Sequence, residues 1–446
     1  MKKLNNGPKT SGNKLHSNLI RWSIVVFILK IIIILNVPGG AWYAADGSNY
    51  VEGVEALINE GIFSTNEKLS YWPAGYPLFI LLLSLFGTSW VLTTLSVVQT
   101  AIFSFGVYYF AKQLLRTDLR KYVKFIYLLI LLNPTLSLSS ISVGYESLAA
   151  SGSLIVVGII LKDLIEDNDK KFLVNLIVAS AISGFLIFMQ PRLIVASILL
   201  LTIWIFLRKS RKFIVLFTLT SLIILIFFPA TLIYRNQKAI DISVVSTNLG
   251  VTMDIGAGNG ATGGYDSKVK GVNCKITTND IAQADRQRIA CVLNWYLSNP
   301  KQSLKLFANK SIYFWSPWSG PVLSGTMGQN PWLKINPISS ISKTPEGSKL
   351  IGGNFGKVIA YLWIFSGLFL LFYGFLNLWR LSGLARTTGS IALTIVASSW
   401  AVTLISIGDH RFRVPIMCMS LFLQAVGVKS LQSKVLHLMV NKRGLG

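Results

Sequence analysis

The stretch Trp22–Gly61 reads WSIVVFILKIIIILNVPGGAWYAADGSNYVEGVEALINEG. Its first part, Trp22–Val37, is an apolar run of the kind that enters a membrane. Its second part turns polar at once. Asp46 falls within a few residues of the lipid boundary, and Glu52, Glu55 and Glu60 come after it. A carboxylate beside hydrocarbon is costly unless water or a cation is near. The side of the membrane on which this loop lies, and the reason Asp46 stands there, therefore decide both fold and chemistry.

Working outward, the chain has 446 residues, of which 52% are hydrophobic and only 13% charged. Its mean hydropathy is +0.56. An ordinary soluble domain carries about 25% charged residues. Apolar runs recur at roughly 20–37, 89–111, 121–141, 146–162, 172–189, 192–207, 213–234, 357–379, 388–407 and 413–428. The fold class read from them is an all-α polytopic membrane protein with about ten transmembrane helices. Pro77–Gly87, PLFILLLSLFG, is too short to span and reads as a re-entrant or interfacial helix.

The net charge is +24, from 42 Lys+Arg against 18 Asp+Glu. In a soluble protein that balance suggests nucleic acid. Here the cations collect in short linkers, such as Arg208–Lys212 (RKSRK), and in the basic tail. That is the pattern of cytoplasmic loops, so no nucleic-acid partner is expected, and both termini are placed inside. The linkers holding Asp46, Glu146, Asp254 and Asp409 then face outside. Two outer segments are long, 38–88 and 235–356. They divide the chain into an N-terminal transmembrane module (1–234), an extracytoplasmic segment (235–356) and a C-terminal transmembrane module (357–446). The basic N-terminus, with small residues at Ala41–Ala45, looks like a signal peptide. With many spans beyond it, an uncleaved signal anchor is expected.

Of the three cysteines, Cys274 and Cys291 lie in the second outer segment and Cys418 in the last apolar run. A disulfide between the first two is open; free thiols are the simpler expectation. In the same segment, Ile289, Val292, Leu293 and Tyr296 recur at helical spacing within Asp280–Trp315. They predict an amphipathic helix lying along the membrane surface. The Gly-rich stretch Asn248–Asp266 is not a phosphate loop, because no Gly-Lys-Ser/Thr comes after it.

Two readings of Asp46 stand side by side. It is a cap for a helix over Asn49–Glu60, in which Tyr50, Val54 and Leu57 share one face, or it is a reactive carboxylate. Tyr71–Pro77, YWPAGYP, is a rigid aromatic corner, either a belt element or a wall for a lipid-linked ligand.

Taken in order, several stretches resemble the GT-C membrane glycosyltransferases. They are Asp46 after the first span, the helix ending LINEG, the PAGYPLF beyond it, Asn133–Pro134 with Tyr145–Glu146, the glycine-rich GNGATGGY, and DHRFRVP at Asp409–Pro415. The set is most similar to the bacterial branch related to protein O-mannosyltransferases and lipid A aminoarabinose transferases. Some relatives carry a paired Asp-Glu in the first outer loop, whereas here Asp46 precedes Gly47. The resemblance implies an inverting enzyme of a bacterial inner membrane. It would take a sugar from a polyprenyl-phosphate donor and pass it to an acceptor glycan, lipid or protein outside.

Asp46 is then the catalytic residue. A carboxylate can accept the acceptor hydroxyl's proton and stabilise positive charge on the sugar ring. Arg411, Arg413 and Arg192 are candidates for the lipid phosphate, since Arg binds phosphate bidentately. Lys68 and Arg235 are weaker candidates for the same phosphate, and Glu146, Tyr50 and Tyr76 are candidate substrate contacts. No cofactor is expected; a divalent metal shared by Asp46, Asp254 and Asp266 is a lesser alternative. The competing function is a transporter or flippase for a lipid-linked saccharide. Lys30, the clearest charge inside a span, bears on that reading unless it snorkels to the interface.

Overall fold

The computed structural model describes residues 9–44, 46–208, 211–265, 271–317, 344–346 and 353–443. Its first half runs α1 (Lys9–Asn36), β1 (Trp42–Tyr43), α2 (Gly47–Glu60), α3 (Lys68–Tyr71), α4 (Gly75–Leu83) and α5 (Val91–Leu114). Next come α6 (Val123–Leu132), α7 (Pro134–Leu138), β2 (Ser142–Val143), α8 (Glu146–Glu166), α9 (Asp169–Met189), α10 (Ile194–Arg208) and α11 (Arg211–Ile240). The second half holds α12 (Leu249–Ile255), α13 (Ile281–Ser298), α14 (Pro300–Trp315), α15 (Asn354–Arg380), α16 (Leu384–Ile405) and α17 (Val414–Arg443).

Among the described residues, nine helices are long and apolar enough to cross a membrane. The run expected as one span at 121–141 is instead two helices, Asp118–Leu132 and Pro134–Ile141, bent by 54° and apolar enough to cross only when taken together. The bend has a local cause. Pro134 cannot donate a backbone hydrogen bond, and the Asn133 side chain accepts from Leu136 N at 2.9 Å, starting a new helix at that point. The chain is an all-α, multi-pass membrane protein.

Burial sorts the spans. In the most apolar windows of Glu146–Glu166 and His410–His437, 72% of residues are buried, against 17% in Lys14–Asn36. So α8 and α17 form the centre, and α1 turns Ile24, Ile28, Ile32 and Leu35 outward. One hydrophobic core runs through both halves of the chain; Phe110 of α5, for example, meets Phe422 of α17 edge to face at 5.8 Å. Between α15 and α17 the backbones nearly touch. A Cβ at Gly374 would lie 1.9 Å from Leu423 O, and one at Gly427 would lie 2.2 Å from Leu370 O. In lipid, where apolar burial drives little helix association, such small-residue contacts supply the packing.

Lys30 does not snorkel. It is 3% exposed, donates to Ser140 Oγ at 3.0 Å and lies 4.2 Å from the Phe103 ring centroid. At the opposite end of the bundle, Arg208 gathers the acids. It pairs with Asp163 at 2.9 Å, with Asp167, and with Asp169 at 3.6 Å.

The long loop between α11 and α15 departs from expectation twice. Asp280–Trp315 is two helices, divided at Asn299–Pro300. The first turns part of its apolar face inward onto its own loop. Val292 and Tyr296 pack on Met253 and Ala257, with Ile289 and Phe307 around them, while Ile281, Leu293 and Leu297 are exposed. Cys274 and Cys291 form a disulfide, with Cα atoms 6.0 Å apart, which staples this small core; Cys418 is free and buried.

By chain-entropy arguments, closing a loop of this size stabilises by about 3 kcal/mol. We expect Cys291→Ser to open 271–298 to limited proteolysis at temperatures where the wild type resists, with the spans still intact. Equal resistance would show that the core around Val292 holds without the staple.

Candidate active site

The short parallel pair β1–β2 brings the first loop to the start of α8, with Trp42 opposite Ser142 and Tyr43 opposite Val143. The register continues through Ala44 N, which donates to Val143 O at 3.3 Å. The fit leaves no room at Gly144, where a Cβ would sit 2.4 Å from Glu146 Oε2 and 3.1 Å from Ala44 Cβ. The pairing thus brings Asp46 near Glu146, on which its carboxylate acts electrostatically, although the two are 100 positions apart in the chain.

Asp46 occupies the N-cap position of α2, and its carbonyl accepts from Tyr50 N at 3.1 Å. Its side chain makes no capping hydrogen bond. The carboxylate turns away and pairs with Arg411, whose Nη1 donates to Oδ2 at 2.5 Å. The two side chains keep 19% and 24% of their exposure, so water and small solutes can reach the pair. A helix cap is thus the backbone's role here, and the carboxyl group is released from it.

Arg411 is aimed by its own turn. Asp409, 3% exposed, caps the 3-10 turn His410–Arg413 and accepts from Arg411 N at 3.0 Å. Glu146, Asp46, Asp409 and Tyr145 all act electrostatically on the Arg411 guanidinium. Arg192 arrives from the start of α10, its guanidinium carbon 3.8 Å from the Phe412 ring centroid; that of Arg411 is 5.0 Å from the same ring. Among the described residues of this site, Arg192 Nη1, Arg411 Nε and Arg413 Nε are buried without a hydrogen-bond acceptor. Buried donors of this kind are expensive unless an anion or water meets them.

The remaining sequence candidates separate clearly. Tyr50 is 4% exposed and packs edge to face on Tyr76 with ring centroids 5.0 Å apart. Burial, and then the Asp46 carboxylate, hold its phenol well above the usual tyrosine range. Tyr76 is fully buried. Its hydroxyl donates to Gln99 Oε1 at 3.0 Å and accepts from Gly144 N at 2.8 Å, so it braces the β2–α8 corner from behind. Arg413 is 5% exposed and donates to Trp315 O at 2.6 Å and Ser316 O at 3.4 Å. Arg235 donates to the carbonyls of Ile62, Ser64 and Leu69 and so holds the first loop together; Lys68 pairs with neighbouring Glu67 at 2.8 Å.

Asp254 is committed to the backbone, accepting from Val272 N at 2.7 Å. Asp266 lies outside the described residues, among which no group of three or more His, Cys, Asp and Glu side chains is placed to share a metal ion. Three residues give no signal in the sequence. Phe412 stands between candidate arginines in DHRFRVP but bears no charge. Gln99 is one polar residue in an apolar helix. Lys310 looks like any surface lysine.

No family model and no curated protein matches the sequence. Among solved structures, the chain is similar to the archaeal oligosaccharyltransferase AglB from Archaeoglobus fulgidus in complex with an inhibitory peptide and a dolichol-phosphate, at 11% identity and a TM-score of 0.46. It is also similar to the apo form of the Archaeoglobus fulgidus oligosaccharyltransferase, at 12% identity and a TM-score of 0.49. Each match covers 95% of this chain and 52% of the other, so this chain spans about half their length.

Removing the Tyr76 hydroxyl leaves a buried amide donor at Gly144 and the Gln99 acceptor unserved. Tyr76→Phe should therefore lower stability by about 1–3 kcal/mol, read as a drop in the melting temperature of the detergent-solubilised protein. An unchanged melting temperature would show that the hydroxyl braces nothing.

Proposed function

We propose that this chain is an inverting glycosyltransferase of the GT-C type. It moves a sugar from a polyprenyl-phosphate donor to an acceptor glycan, glycolipid or protein at the outer face of a bacterial cell membrane. The observation that carries the reading is the Asp46 carboxylate, freed from capping and paired at 2.5 Å with an arginine that retains a buried, unanswered donor. A base and phosphate-seeking cations in one partly exposed place are what this transfer requires.

In the reaction, an acceptor hydroxyl oxygen bonds to the anomeric carbon while the bond from that carbon to the phosphate oxygen breaks. The hydroxyl proton passes to Asp46, and the electron pair leaves with the lipid phosphate. Arg192 and Arg411 offer it Nη1 and Nε. Because Arg411 serves both groups, the arriving phosphate loosens its grip on Asp46 and leaves the carboxylate available as a base. Glu146 orients Arg411 or meets a sugar hydroxyl. Arg413, engaged by two carbonyls, holds the last span to α14. Basic linkers on the opposite face support the outer placement, as does a disulfide, which persists in oxidising compartments.

The second reading, a transporter or flippase for a lipid-linked saccharide, rests on Lys30, a buried charge within α1. Sugar transfer measured in membranes, with a panel of polyprenyl-phosphate sugars, separates the two. Asp46→Asn should lose about 100- to 10,000-fold in turnover while folding normally. Arg192→Gln should raise the KM for the donor. Equal turnover by wild type and Asp46→Asn would sink Asp46 as the base. Donor flipping in vesicles without transfer would favour the transporter.

A further inference from the structure

Among the described residues, Lys310 is the most deeply buried cation outside the site. It lies on α14 with no exposed surface. Its ammonium spends all three protons, on Tyr296 Oη at 2.6 Å, Leu404 O at 2.9 Å and Ser406 O at 2.6 Å. The Tyr296 hydroxyl in turn donates to Ile405 O at 3.2 Å. The carbonyls of residues 404–406 belong to the C-terminal end of α16. There the helix leaves its last acceptors without partners and carries partial negative charge, so a cation is stabilising. Burial pushes the Lys310 ammonium down, to about 7, and the three acceptors favour the charged form in return.

The chain just beyond α16 gives this cluster a purpose. Gly408 rests on the Lys310 backbone, where a Cβ would come within 2.6 Å of Lys310 Cα. Its N–H donates to Gly263 O of the glycine-rich loop at 2.8 Å. Five residues beyond Gly408, Arg413 donates to Trp315 O and Ser316 O at the end of the same α14. The turn carrying Arg411 is therefore clasped by α14 at both ends, by Lys310 before it and by Trp315–Ser316 after it.

We infer that Lys310, relayed through Tyr296, is a positioning residue that sets the backbone of 404–409 and thereby the reach of Arg411 to Asp46. Its effect on turnover rests on the transferase reading; its effect on the turn does not. The experiment is hydrogen–deuterium exchange on full-length protein, comparing wild type, Lys310→Met and Tyr296→Phe. Each variant is first checked for a monodisperse size-exclusion profile and an intact disulfide. Losing these bonds should speed exchange of the 404–412 amides about tenfold or more in Lys310→Met, and to a smaller degree in Tyr296→Phe. The amides of 146–166 should stay as in wild type.

In the transfer assay, both variants should lose kcat/KM, by about 10- to 100-fold for Lys310→Met, with kcat falling and the KM for donor rising together, because Arg411 meets both Asp46 and the lipid phosphate. Should Lys310→Met fail to fold, Tyr296→Phe decides alone, since its ring packing is retained. Wild-type exchange at 404–412 in folded variants would overturn the inference, as would a rise confined to 271–300. If wild type transfers no sugar, the exchange result still stands or falls independently, and only the transferase reading is lost.

Discussion

Asp46 and Arg411 stand 365 residues apart in the chain and 2.5 Å apart in space. Neither is placed by its own segment alone. Asp46 owes its position to the strand pairing that ties Trp42–Tyr43 to Ser142–Val143. Arg411 owes its position to the Asp409 cap and to the grip of α14 on both sides of its turn. An ion pair at a surface is worth little, about 0–1 kcal/mol. Its importance here is geometric, because it registers the first long loop against the entry to the last span.

The membrane explains why the site lies where it does. Inside hydrocarbon every backbone polar group must be satisfied internally, so irregular chain is confined to the ends of spans or to places where protein covers it. Each break that builds the site obeys that rule. The bent turn at Ser139–Val143 is braced by Gln99, which donates to Ser140 O and Ser142 O at 3.3 and 3.0 Å, and Gly144 N is met by Tyr76. Lys310 performs the same service for the end of α16. A second tier of buried polar side chains thus supports a rim of irregular backbone, and that rim carries the candidate catalytic groups.

Much of the architecture is legible from hydropathy. The spans and the short apolar helix at PLFILLLSLFG announce themselves, because length and apolarity are local properties, whereas the break at Asn133–Pro134 is hidden inside the single apolar run 121–141. The helix expected along the surface turns part of its apolar face to a partner the sequence does not name. The spacing of Ile289, Val292 and Tyr296 declares an apolar face but not its partner, and here the partner is α12, stapled by Cys274–Cys291. Lys30 eludes sequence reading in the same way, since sequence shows a charge in a span but not the serine and aromatic ring that receive it.

By itself the sequence determined that this is a polytopic helical membrane protein, with Asp46 beside a lipid boundary and Arg411 at the entry to a late span. Those are consequences of composition and order along the chain. Only the tertiary structure decided that Asp46 releases its cap to meet Arg411, that Tyr76 and the two Nη atoms of Arg413 meet backbone groups, and that Lys310 clasps the turn between them. Such choices depend on which donor finds which acceptor across long sequence separations. A buried hydrogen bond forms only where packing brings both partners within reach.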